Sequence, residues 1–249
     1  WCDALQADDI VGLALDVSDE FVKLAPKNPN VLRDKATSLD WVGDVARLRG
    51  DPDGATRHYE ESLQLRLQLV ELDPEGSRLV RDLVVSHVKL GDRALEDGDS
   101  RDATLHFRSA MKEAERLVAA DPGNVAFQVD LTVCQNRLGD IAERLGRFDE
   151  AKDYFEAALR VTQRIVDLDP LQSEAELARV VGEERLGDLA LLENNRAGAK
   201  ERYQKGLEIG ERLVKVDPAN IRSLDSVARS RDKLGKIAVG DGDLAAARQ

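Results

Sequence analysis

The chain has 249 residues, 42% hydrophobic and 34% charged, but only 4% aromatic, so it holds enough apolar material for one or two domains with cores of Leu, Val and Ala. A net charge of −12 repels phosphate backbones and anionic lipid, so neither nucleic acid nor a membrane is an expected ligand. No apolar run approaches the roughly 18 residues of a membrane span, and Cys2 and Cys134 have no CxxC or Cys/His spacing of a disulfide framework or zinc site.

In chain order, residues 1–26 read as a half-repeat, a single helix stopped at Pro26. Its opening, Trp1-Cys2-Asp3-Ala4, has no basic or apolar leader character, and a cytoplasmic location is the expectation. The first full repeat spans about 27–74: a helix from about Asn30 to Arg49, a turn at Gly50-Asp51, and a helix from about Pro52 to Leu72. Asp73-Pro74 ends it, because proline cannot continue a helix and restricts the residue before it. The same unit recurs over about 75–122, 123–170 and 171–218, with turns at Gly98-Asp99, Gly146 and Asn194-Asn195 and stops at Pro122, Pro170 and Pro218. A partial repeat, 219–249, turns at Gly242-Asp243 and opens a second helix at Ala247. Gly and Asn at these turns are the residues that close a helix in the left-handed conformation. The expected fold is therefore all-α, a solenoid of stacked antiparallel helix pairs forming one array over 1–249. The half-repeat and the cut final helix lead us to expect an excerpt of a longer polypeptide.

Four ladders keep one register of 48 residues. Gly43-Asp44, Gly91-Asp92, Gly139-Asp140 and Gly187-Asp188 form the first, ending in Gly235-Lys236. Ala7, Ala55, Ala103, Ala151, Ala199 and Ala247 form the second; four residues on stand Val11, Tyr59, Phe107, Phe155 and Tyr203. The prolines form the fourth. On the second helices, Leu63, Leu69, Val70 and Leu72 define an apolar face that recurs as Met111, Leu117, Val118 and Ala120, and again through Leu168 and Val216. The mid-helix glycines cost about 1 kcal/mol each relative to Ala, so a partner backbone is expected against them. The Ala55 ladder and the Ser62, Ala110, Ala158 and Gly206 ladder are the expected counterparts on the second helices.

Leu90-Gly91, Ala103, Phe107 and Ala110 reproduce the spacing of the tetratricopeptide signature, as do Leu138-Gly139, Ala151, Phe155, Ala158 and Leu186-Gly187, Ala199, Tyr203, Gly206. The chain resembles the tetratricopeptide repeat family over nearly its whole length. It departs from the family in its period, 48 residues in place of 34, and in the signature's early Trp, whose place is taken by His87, Gln135 and Glu183. Each helix is longer by seven residues, close to two turns, which lengthens a helix without rotating its apolar face. The resemblance implies a long-helix superhelix, of bacterial type, whose first helices line a concave face that binds proteins.

That face carries the candidate groove residues Asp40, Asp44, Asp92, Asn136, Asp140, Glu184 and Asp188. The Asp ladder reads in two ways: an acidic stripe for a basic partner, or intrahelical pairing with Lys89, Arg137 and Arg185, each three residues earlier. The Lys/Asn clamp that grips C-terminal carboxylates in some family members has no match here. Cys134 shares its register with Ser38, Ser86, Gly182 and Ser230, a small-residue packing site, so a Cys134/His87 nucleophile pair is not expected. His58 and His106 stand in register with Tyr154 and Arg202, as surface positions would. No catalytic residue, metal ligand or cofactor is expected. The expected function is a scaffold for a protein or peptide partner, with a basic segment as the favoured chemistry and self-association through uncapped ends as a further expectation. The alternative is a regulatory or sensor segment of a larger multidomain bacterial signalling or defence enzyme.

Overall fold

A computed structural model of the chain describes residues 2–169 and 172–242, with side chains from residue 12 onward. The expected stop at Pro170, the turn residue Asp243 and the helix start at Ala247 lie outside the described residues, as do the side chains of Cys2, Ala7 and Val11. The described residues form ten helices and no strand. They are α1 (Cys2–Leu24), α2 (Pro29–Leu48), α3 (Pro52–Leu72), α4 (Ser77–Glu96), α5 (Ser100–Ala120), α6 (Val125–Arg144), α7 (Phe148–Leu168), α8 (Ser173–Leu192), α9 (Arg196–Val216) and α10 (Ile221–Gly240). The chain folds as an all-α solenoid of helix pairs in two compact units, Trp1–Asp121 and Pro122–Gln249. Within each unit every helix packs on its successor, so consecutive helices run antiparallel.

The turns inside each pair are Schellman motifs. Gly50, Gly98, Gly146 and Gly242 have φ between 70° and 81°, and Asn194 alone among the described non-glycine residues is left-handed, at 59°. In the first, Asp51 N–H donates to Ala46 O at 3.0 Å and Gly50 N–H to Arg47 O at 3.1 Å, which satisfies carbonyls the helix end would leave open. Asp99, Arg147 and Asn195 make the equivalent bonds to Ala94, Ala142 and Ala190. The turn residue then starts the next helix: the Asp51, Asp99 and Asn195 side chains accept backbone N–H groups of the first turns of α3, α5 and α9. Asn28, Asn124 and Asn220 cap α2, α6 and α10 in the same way.

The glycine and aromatic ladders meet each other. A Cβ at Gly43 would lie 2.6 Å from the Tyr59 ring, and one at Gly91 2.8 Å from Phe107. Gly139 stands under Phe155 and Gly187 under Tyr203 in the same way. The mid-helix glycines therefore make room for an aromatic ring of the same repeat's second helix, not for a partner backbone. Ala55, Ala103, Ala151 and Ala199 are fully buried around these rings. The Ser62 ladder sits at the other close crossing, where buried Ser62 donates to Ala36 O at 3.0 Å. Ser38, Ser86, Cys134, Gly182 and Ser230 are all buried, the packing site that their shared register predicts.

One part of the expected apolar face is corrected. Leu63 and Leu69 are buried, as is Leu117, but Leu72, Leu168 and Val216 are 67%, 55% and 76% exposed. They are the last residues of their helices, beyond the reach of the helices beside them.

Candidate functional site

The Asp ladder holds neighbouring repeats together. In the first unit, Lys89 of α4 donates to both carboxylate oxygens of Asp44 on α2, at 2.6 and 2.8 Å. Its ammonium lies 5.1 Å from the centroid of the Tyr59 ring, and the Tyr59 hydroxyl donates to the same carboxylate at 2.6 Å. The second unit repeats the arrangement at Asp188, where Lys233 donates at 2.7 and 2.6 Å and Tyr203 at 2.5 Å, with Lys233 5.2 Å from the ring centroid. Arg185 pairs with Asp140 and lies 5.1 Å over Phe155, which has no hydroxyl to add. Burial first, and then the hydrogen bond to the carboxylate, raise the Tyr59 and Tyr203 phenols above their ordinary value. The expected intrahelical pairing is thus corrected for these cations: Lys89 and Arg185 reach back 45 residues to the preceding first helix. Stacked helices lie about 8–10 Å apart, a gap that a Lys or Arg side chain spans.

The other candidates divide. Asp40 is buried and accepts from Arg66 at 2.6 Å, and Asp92 is half-buried on α4. Asn136 and Glu184 line a cleft of about 680 Å³ in the second unit. Its floor is apolar. Val129 and Val133 on α6 are 46% and 38% exposed, Val181 on α8 is 37% exposed, and Ala178 lies beside them. Thr162 and Ile165 of α7 close the bottom. Glu184 accepts from Arg229 Nε at 3.3 Å and from Ser230 at 3.1 Å, and Arg222 of α10 pairs with Glu174 at 2.5 Å, so ion pairs form the rim. The α8 sequence is apolar on two faces: Val180, Leu186 and Leu189 enter the core while Leu177 and Val181 line the cleft. In the sequence this floor is marked by the spacing of Val129 and Val133 and its repeat in Val181, a fainter pattern than the polar ladders beside it.

His58 and His106 are half-buried, and His87 Nδ1 lies 3.1 Å from His106 Nδ1. His106 Nε2 lies 3.7 Å from the Asp102 carboxylate. Burial, with His106 adding to it, pushes the His87 imidazole down to about 4. Cys134 is fully buried. Among the described residues no group of three or more His, Cys, Asp or Glu is placed to hold a metal ion, and no helix is long and apolar enough to cross a membrane.

Residues 133–164 match the tetratricopeptide repeat family model. No curated protein matches the sequence. Among solved structures, BtubC (BKLC) from P. vanneervenii is similar at a TM-score of 0.71 and 18% identity, covering 98% of this chain and 87% of that one. A putative kinesin light chain from Podosopora anserina, with nearly identical TPR-like repeats, is similar at a TM-score of 0.51 and 16% identity, covering 89% of this chain and 92% of that one. At these identities the likeness is one of fold. One repeat fits the family model, ladders carry its spacing along the chain, and the fold is shared with other helical repeats: the chain is an all-α helical repeat protein similar to the tetratricopeptide repeat proteins.

Proposed function

We propose that the chain is a protein-binding scaffold that seats a polypeptide segment in the cleft between α6, α8 and α10 of the second unit. The observation that carries this reading is the exposed apolar floor of Val129, Val133 and Val181 inside a concave surface with a polar rim. Apolar surface left open in a cleft, ringed by charged groups, has the anatomy of a recognition site. Asn136 and Glu184 enter as polar lining of the groove, and Asp140 and Asp188, paired with Arg185 and Lys233, tie together the helices that frame it. The net charge of −12 favours a partner with Lys or Arg flanking its docked part, through steering that fades with salt. Binding is the whole activity in this reading, with no chemical step.

The test is a selection of random peptides displayed on phage against the immobilised chain, followed by titration of the selected peptides. Val181→Glu is expected to abolish binding, while Leu105→Glu, on the exposed side of α5, leaves it unchanged. Peptides that bind Val181→Glu as tightly as the parent chain would remove the groove from consideration.

A further inference from the structure

The two units contain matched cells, and one of them shows what the other lacks. In the first unit, between α2, α3 and α4, the cell is filled by ions. Arg66, 4% exposed, donates to Asp40 at 2.6 Å, to Ser86 Oγ at 2.6 Å and to the Asp82 carbonyl at 3.1 Å. Arg33 forms a two-pronged pair with the Asp82 carboxylate, its second contact at 3.2 Å. Moving 96 residues along, two repeat periods, places each of these positions in the second unit. Arg66 becomes Thr162, Asp40 becomes Asn136, Arg33 becomes Val129 and Asp82 becomes Ala178. All four replacements line the cleft. The cleft is therefore the same cell with its two guanidinium groups and both of their carboxylate partners removed.

We infer that this cell receives one large apolar side chain of a docked segment, Leu, Met, Phe or Trp, in the space that Arg66 fills in the first unit. The inference rests on the groove reading and goes further, because it names the anchor. Three observations exclude a cation as the occupant. Asn136 is neutral where Asp40 is charged; Glu184, a carboxylate of the lining, is 8% exposed and already accepts from Arg229 and Ser230; Glu174 and Asp225 on the rim are paired with Arg222 and Arg229. A guanidinium or ammonium entering here would lose its water and gain no charge partner, a cost that a buried ion cannot recover. An apolar group loses nothing and covers Val129, Val133, Ala178 and Val181. One buried anchor, ringed by polar contacts that exclude water, is also how binding energy concentrates in protein interfaces.

The experiment rebuilds the ionic filling. The double variant Asn136→Asp/Thr162→Arg restores the Asp40–Arg66 pair in the second unit, and the Ala178 carbonyl stands where the Asp82 carbonyl accepts. Ala178→Phe fills the same space with apolar atoms, so one of the two variants suffices if the other fails to fold, which circular dichroism checks. The probes are peptides selected from a random twelve-residue phage library on the parent chain. Expected is a large apolar residue in every selected peptide, a loss of at least tenfold in affinity when it is changed to Ala, and an equal loss on either filled variant. The inference is overturned if the essential residue is Arg or Lys, or if both folded variants bind as the parent does. Equal binding to the filled variants with loss on Val181→Glu would leave the groove reading standing and remove the anchor alone; binding insensitive to all three would remove both.

Discussion

Gly139→Ala sets two opposed effects against each other. Alanine in place of a mid-helix glycine gains about 1 kcal/mol of helix propensity. Against this, the new methyl group would lie under the Phe155 ring, closer to three of its atoms than packed carbons approach. The ring cannot retreat, since Phe155 is fully buried and packed among Ala142, Ala151, Leu186 and Leu189. Overpacking of a closed core costs about 1–3 kcal/mol, and three contacts under 3.0 Å place this case in the upper part, about 2–3 kcal/mol, so the net result should be a loss of about 1–2 kcal/mol. Gly12 supplies the control. It lies inside α1, exposed, with nothing within 4 Å of an added Cβ, so Gly12→Ala should gain about 0.5–1 kcal/mol. Urea unfolding followed by far-UV circular dichroism measures both, and the two midpoints should move in opposite directions. If Gly139→Ala is as stable as the parent chain, the ring and not the glycine is the movable partner, and the account of the glycine ladder fails. Gly139→Leu should destabilise further, whereas Gln163→Leu, whose amide donates to Asp167 one turn on, should change little.

Three further outcomes follow from the ion pairs and the histidines. His87 binds its proton near 4 in the folded chain against an ordinary value of 6.5, so the unfolded state takes up more protons between these values. Stability is then complete above pH 6.5 and falls as pH drops toward 4, by about 1–3 kcal/mol, and urea midpoints of His87→Asn should show a shallower fall over that range. Asp40→Asn leaves the buried Arg66 guanidinium without its charge partner and should cost about 3 kcal/mol, most of it recovered in Asp40→Leu/Arg66→Met, as thermal melts of the pair will show. Replacing Asp44, Asp92, Asp140 and Asp188 by Asn should keep the helical content and lower the melting temperature; partly exposed pairs of this kind are worth about 1 kcal/mol or less each. The same variant should bind the selected peptides as the parent does; a loss of affinity beyond tenfold would return the acidic ladder to the binding surface.

The helices, their length, their period and their turns are determined by the sequence alone, because the signals are local. Pro52 opens α3, Gly50 closes α2 with φ 75°, and Asp73-Pro74 ends the pair, each through a preference of the backbone within a few residues. The buried small residues at Ser86, Cys134 and Ser230 are legible for a related reason: a ladder that stays small through every repeat marks a space that stays narrow. What only the tertiary structure decided is which of two equally spaced partners wins. Lys89 is one helical turn from Asp92 and 45 residues from Asp44, and stacking brings Asp44 and the face of Tyr59 together under its ammonium. Gly139 announces a close approach, but whether backbone or ring approaches depends on where the second helix crosses. The cleft is hardest to foresee, because it is defined by what Val129, Asn136, Thr162 and Ala178 do not fill, and an unfilled volume exists only once the helices around it are packed.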